Sequence, residues 1–155
     1  MKYANIKYCS TANGPGMRTS VYVSGCSIHC KGCFNSVAWD FDYGKEFTDE
    51  TVEKILESVD QQYCSGITIL GGEPLDPRNL CGVGMLIDRF NERFGDNPDK
   101  TVWLYTGYCL ENLSDEQKVV AEKCDVVVDG PFELDKADVN LTFMGSSNQR
   151  VISMK

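Results

Sequence analysis

Hydrophobic and polar positions alternate along Arg18-Thr19-Ser20-Val21-Tyr22-Val23, a run rich in β-formers that predicts a strand. Thr48 followed by Asp49 and Glu50 reads as an N-cap with acids in the first turn. Behind it Val52, Ile55, Leu56 and Val59 recur at the spacing of one buried helix face. Ile67-Thr68-Ile69-Leu70 predicts a short buried strand that ends in the turn Gly71-Gly72. A second helix is expected to open at Asp76-Pro77, with proline at the first helical position, and to stop at Gly95. Its apolar side is Leu80, Val83, Ile87, Phe90 and Phe94. Thr101–Tyr105 predicts a third strand, closed by Thr106-Gly107. The capping box Ser114-Asp115-Glu116-Gln117 predicts a third helix running to Lys123. Asp125-Val126-Val127-Val128 predicts a fourth strand, ending in Asp129-Gly130-Pro131. Beyond it the pattern weakens, and 140–143 with 150–152 are candidates for a last strand pair.

The alternation of strand and helix argues an α/β fold with a parallel sheet and right-handed crossovers. Short continuous apolar runs imply strands covered on both faces. Eight βα units need about 250 residues. The chain has 155, so a small, open partial (β/α) barrel is expected, with 1–155 as a single domain. In such a sheet the loops after the strands emerge on one side, where sites are built. Four glycine-containing segments would be gathered there: 24–33, 71–74, 106–108 and 129–131.

Fifteen Lys and Arg against 23 Asp and Glu give a net charge of −8. Such a surface repels phosphate backbones, so no nucleic-acid partner is expected. No apolar run approaches the 18 residues of a membrane span, so no membrane partner is expected either. Residues 1–8 lack the apolar stretch of a secretory signal, which points to a cytoplasmic protein. Eight cysteines are then many for a reducing compartment, where clusters of them mean metal or catalysis more often than disulfides. Cys9, Cys64, Cys81, Cys109 and Cys124 are scattered and read as small core or loop residues. Cys26, Cys30 and Cys33 lie within eight residues, and thiolates select zinc, Cu(I) or iron–sulfur clusters. Structural zinc takes four ligands, usually in two pairs, and no second pair is present. His29, the only histidine, sits between two of the cysteines. Three cysteines on a four-iron cluster leave one iron open to substrate.

The spacing Cys26-x3-Cys30-x2-Cys33 after a strand resembles the signature of the radical S-adenosylmethionine (SAM) superfamily, and Gly71-Gly72-Glu73-Pro74 resembles its GGE motif. Asn13-Gly14-Pro15-Gly16-x-Arg18 is similar to the opening of glycyl-radical activases. Asn13 stands where pyruvate formate-lyase activases usually have Asp, and Gly32 where they tend to have an aromatic residue. Both features resemble the activating proteins of anaerobic (class III) ribonucleotide reductase, as do 103–108, 128–130 and 145–150.

The resemblance implies a 4Fe–4S cluster on Cys26, Cys30 and Cys33, which act in catalysis through it. It implies SAM as cofactor, with adenine near Gly32, Cys33 and Phe34, and the methionine end at Gly71, Gly72 and Glu73. It further implies a glycine of the large catalytic subunit of anaerobic ribonucleotide reductase as target. With no second cysteine set, electrons would come from an external flavodoxin-type donor, which needs a local basic patch on so acidic a chain. Two other classes stay open at this stage. One is another small radical SAM enzyme, pyruvate formate-lyase activase-like or acting on a small molecule. The other is a non-catalytic metal-binding module. Trp103, Tyr105 and Tyr108 also read as sheet-face or core aromatics, Asp129 as a turn cap, and 145–148 as a polar turn. Arg18 and Arg150 are candidates to pair with acids such as Asp129, or to face the partner.

Overall fold

In the computed structural model, which describes residues 1–155, an antiparallel pair comes first: β1 (Lys2–Ser10) and β2 (Met17–Val23). After it follow β3 (Lys45–Glu46), α1 (Asp49–Val59), β4 (Cys64–Gly71), α2 (Leu80–Phe94), β5 (Thr101–Tyr105), α3 (Asp115–Glu122), β6 (Val126–Asp129) and β7 (Arg150–Ser153). All seven strands form one sheet in the order β3-β1-β2-β4-β5-β6-β7. The central four, β2, β4, β5 and β6, are parallel, while β1, β3 and β7 run antiparallel at the flanks. β3 and β7 are free edges, so the sheet curves as an open partial barrel, as expected.

Helices form where their caps and apolar faces predict. Thr48 Oγ1 accepts from the Thr51 amide at 3.2 Å, and Ser114 Oγ from the Gln117 amide at 3.2 Å. Val52, Ile55, Leu56 and Val59 of α1 are fully buried against the sheet. Each such side chain contributes about 1.5–3 kcal/mol over its exposed state.

The helices cover one face only; the other is closed without helices, and Arg18, Ser20, Thr68 and Trp103 on it are buried as well. Val21, Val23, Ile67, Ile69, Val102, Leu104 and Val127 point into the core with α1, α2 and α3. Their alternating neighbours point to the other face, which is concave and mixed in chemistry: Arg18, Ser20 and Tyr22 on β2, Thr68 and Leu70 on β4, Trp103 and Tyr105 on β5. Arg18, only 1% exposed, ties the lower end of this face together. It donates to Thr68 Oγ1 at 2.9 Å and to the Ile67 and Thr101 carbonyls at 2.8 and 2.7 Å. It has no acidic partner.

One strand was not predicted, and two further expectations are corrected. β1 was not legible, because its side chains are mostly half-buried or exposed and carry no apolar run. Helix α2 opens at Leu80 rather than Pro77, since the Asp76 carbonyl takes the amides of Asn79 and Leu80 in a turn. Asn79 is recruited elsewhere and donates to the carbonyls of Ser24, Gly25 and Glu73. Finally, 140–143 is no strand. β7 pairs with β6 instead, from Val126↔Ser153 to Asp129↔Arg150. No helix is long and apolar enough to cross a membrane.

Candidate functional site

The loops that follow β2, β4, β5 and β6 converge at one end of the sheet, as the parallel topology requires. They enclose a cavity of about 330 Å³, lined among others by Cys26, Cys30, Cys33, Gly71, Gly72 and Glu73. Residues separated by up to 47 positions in the chain are thus brought to one wall. Backbone bonds lock the two motifs to each other: Gly72 N to Val23 O and Glu73 N to Gly25 O, both 2.8 Å. Gly71 has φ +116°, and a Cβ there would lie 2.5 Å from the Val23 nitrogen. The approach of β4 to β2 therefore requires glycine at this point.

Glu73 is buried and holds the next loop. Its Oε1 accepts from Thr106 Oγ1 at 2.7 Å and the Leu75 amide at 2.9 Å, and its Oε2 from the Gly107 amide at 2.7 Å. Burial pushes its carboxyl up to about 7 against the pull of these donors. Oε2 keeps a second lone pair, and Glu73 lines the cavity, so the residue both fastens 106–107 and places acidity behind the cavity wall.

The three cysteines are free thiols, Cys26 buried and the others half-buried. Burial pushes Cys26 up, opposed by the amides of His29 and Ile28, with Glu73 and Cys30 adding to the rise. Cys30 is likewise raised by burial, opposed by the Phe132 amide, with Cys33 and Glu73 adding. Three thiolates that repel one another suit a cationic iron centre, which deprotonates its ligands. Amides near sulfur suit the thiolate shell of an iron–sulfur cluster. The three sulfurs do not all lie within 4.8 Å of one another, whereas ligands of one tetrahedral zinc sit about 3.8 Å apart. The donor set fits a multi-iron cluster.

His29 stacks on Trp39 at 4.3 Å between ring centroids, which gives it a structural task. Gly32 makes the turn before Cys33 with φ +78°. Phe34, 91% exposed, stands at the rim with its ring edge-on to Phe132. Trp103 is buried under Phe143, in keeping with its reading as a core aromatic. Cys64 and Cys124 are buried too, whereas Cys9 and Cys81 are exposed.

Sequence reasoning missed the strap 131–149, which forms the outer wall through Phe132, Leu141, Phe143 and Met144. The segment 145–150 is more than a polar turn. Gln149 accepts from the Gly145 amide and donates to the Gly130 carbonyl, while Asn148 donates to Pro131 O. Arg150 pairs with Asp129 and Glu111. Cys109, Glu111 and Asp129 come together near this pair, yet both carboxylates are already taken up by Arg150.

A family model described as a 4Fe-4S single cluster domain matches residues 12–152. An anaerobic ribonucleoside-triphosphate reductase-activating protein of Vibrio cholerae is 38% identical over 151 residues, 96% of each chain. The chain belongs to the anaerobic ribonucleoside-triphosphate reductase-activating proteins. The member of this family from Enterobacteria phage T4 is 36% identical over 153 residues, which cover 99% of this chain and 94% of that one. The Escherichia coli activating protein is 35% identical, with 97% of each chain covered. These activating proteins match from the cysteine loop through the strap, so the cavity and both its walls lie within the shared length.

Proposed function

We propose that this chain is a glycyl-radical activase of the radical SAM type. One observation carries the reading: Cys26, Cys30 and Cys33 open onto the same cavity as Gly71, Gly72 and Glu73. The three cysteines would hold a 4Fe–4S cluster with one iron left for SAM. When bound and reduced, that cluster supplies one electron to split SAM into methionine and a 5′-deoxyadenosyl radical, which takes a hydrogen atom from the Cα of a glycine in the large catalytic subunit of anaerobic ribonucleotide reductase.

The chain's own residues would do the following. The carbonyl edge of Gly71 and Gly72, with the acidity of Glu73 behind it, would receive the methionine ammonium. The backbone of Gly32 and Cys33, with the Phe34 ring, would meet adenine. The amides of His29 and Ile28 near Cys26, and of Phe132 near Cys30, would help to set the cluster's potential. An acidic external donor of the flavodoxin type would need a local basic patch, to which the exposed Lys31 of the cysteine loop would contribute. The protein would work in the cytoplasm as a single domain, with no nucleic-acid or membrane partner.

The test mixes the anaerobically reduced protein, SAM and the large reductase subunit. A glycyl doublet in electron paramagnetic resonance with 5′-deoxyadenosine accumulating is the expected result. Iron without SAM cleavage would leave only a metal-binding module.

A further inference from the structure

The turn after Gly71-Gly72-Glu73 carries a buried carboxylate to which the proposed function gives no part. The Asp76 side chain is only 3% exposed. Its Oδ1 accepts from the Arg78 amide at 3.1 Å, an ordinary task for an acid in such a turn. Its Oδ2 serves another purpose and accepts from Ser27 Oγ at 2.7 Å, across 49 positions of the chain. Ser27 follows Cys26 directly, so the carboxylate is tethered to the loop of the first cysteine.

Arg78 completes the group. Its Nη2 donates to Ser27 Oγ at 3.0 Å, and its Nε lies 3.5 Å from Asp76 Oδ1. The guanidinium stacks over the Phe41 ring, 3.5 Å from its centroid. That ring is itself pressed on the residue before Cys26: a Cβ at Gly25 would lie 2.0 Å from Phe41 Cδ1. Ser27, Phe41, Asp76 and Arg78 thus form one clasp on the cysteine loop. None of the four lines the cavity, so the clasp acts from behind its wall.

The two charges of the clasp are not equally screened. The Arg78 side chain is 64% exposed, whereas Asp76 is almost wholly enclosed. Water damps the exposed charge far more than the buried one, so the net field toward the interior is negative. That field reaches the cavity wall. Burial is the main cause of the raised Glu73 carboxyl, and Asp76 adds to the rise. At Tyr108 burial leads, Glu73 follows and Asp76 adds again. A negative charge fixed beside an iron–sulfur cluster disfavours the entry of an electron, and net charge is one of the levers on cluster potentials.

We infer that Asp76, tethered by Ser27, holds down the reduction potential of a cluster on Cys26, Cys30 and Cys33, and that Arg78 offsets part of its effect. The inference rests on the proposed function for the cluster and its three ligands. On reduction one electron enters from the donor, and no bond forms or breaks.

The test is a dithionite titration of the anaerobically reconstituted chain, with redox mediators and without SAM, followed by the electron paramagnetic resonance of the reduced cluster. Asp76→Asn keeps the shape and removes the charge. At an applied potential fixed near the wild-type midpoint, its ratio of reduced to oxidised cluster should rise about three- to tenfold. Arg78→Met should lower that ratio, by a smaller factor because its charge stands in water. Ser27→Ala keeps both charges and should move the ratio less than Asp76→Asn does. A merely structural clasp would lower melting temperature and iron content without opposite shifts from Asp76→Asn and Arg78→Met. Ratios that match wild type, or that both substitutions move the same way, overturn the inference. A wild-type chain that takes up no iron and sulfide would overturn the proposed function, and the inference with it.

Discussion

Arg150 donates from Nε to Oδ1 of Asp129 at 2.9 Å, and the Asp129 side chain is wholly buried. The same guanidinium takes both oxygens of Glu111, at 2.8 and 2.9 Å. Asp129 also accepts from the Leu110 amide at 2.9 Å. One side chain thus binds the ends of β6 and β7 to the turn after β5, and so fastens the strap that walls the cavity.

Arg150→Ala should lower the melting temperature, since it leaves a buried carboxylate without its cation. Arg150 holds the Glu111 carboxyl down at about 2. A carboxyl depressed on folding adds stability above its unfolded value near 4.5, and that share is lost as pH falls toward 2. The gap between wild-type and Arg150→Ala melting temperatures should therefore hold steady above pH 5 and narrow below it. Thermal melts across that range check this, and a gap independent of pH would remove Glu111 from the network.

Cys26→Ala, Cys30→Ala and Cys33→Ala should each lose iron and sulfide on anaerobic purification. Cys9→Ala and Cys81→Ala, both exposed and away from the cavity, should keep the wild-type content. Iron and sulfide analysis decides. Full iron in any one of the first three would pass that ligand's role to another residue.

Burial raises the Glu73 carboxyl from 4.5 to about 7. Its folded form therefore holds a proton that the unfolded chain has released, so its contribution to stability is greatest below pH 4.5 and fades as pH rises through 7. That shift is on the order of 3 kcal/mol. In urea titrations, Glu73→Gln should abolish this part of the pH dependence. SAM's ammonium would favour the ionised form, so SAM should bind more tightly as pH rises through 7. Calorimetry at pH 6.5 in buffers of different ionisation enthalpy should register a released proton. Binding without proton release would mean that Glu73 serves only the 106–107 loop.

Burial without an acidic partner pulls the Arg18 guanidinium down to about 10. Its donors meet groups on β4 and β5, so Arg18→Met should cost about 3 kcal/mol or more by stranding buried carbonyls and hydroxyls. Equilibrium urea unfolding measures it.

Strands β2, β4, β5 and β6 were legible because β-formers and glycine turns bound them, and α1 and α3 because their caps are local signals. The four gathered loops followed from topology alone. The start of α2 was misread because Asp76-Pro77 is a sound helix opening by local rules, and only the tertiary demand on Asn79 displaces it. The concave face was hidden in plain alternation: Arg18, Ser20 and Tyr22 occupy every second position, yet nothing local says that no helix will cover them. The strap was least legible, since Phe132, Leu141 and Phe143 obey no period and take their places through Gln149 and Asn148. The Cys–Cys–Cys and Gly–Gly–Glu motifs were readable because their chemistry is carried by residue type and spacing.

The one-sided helix layer sets how the molecule breathes. Amides of β2, β4 and β5 lie beneath the packed helices and should exchange with solvent only on global opening. The strap is held by side-chain bonds and few buried contacts, so its amides should exchange through local opening. The cavity is therefore bounded by a slow wall and a fast one. Large guests would gain access by loosening 131–149 while the cysteine-bearing side keeps its shape.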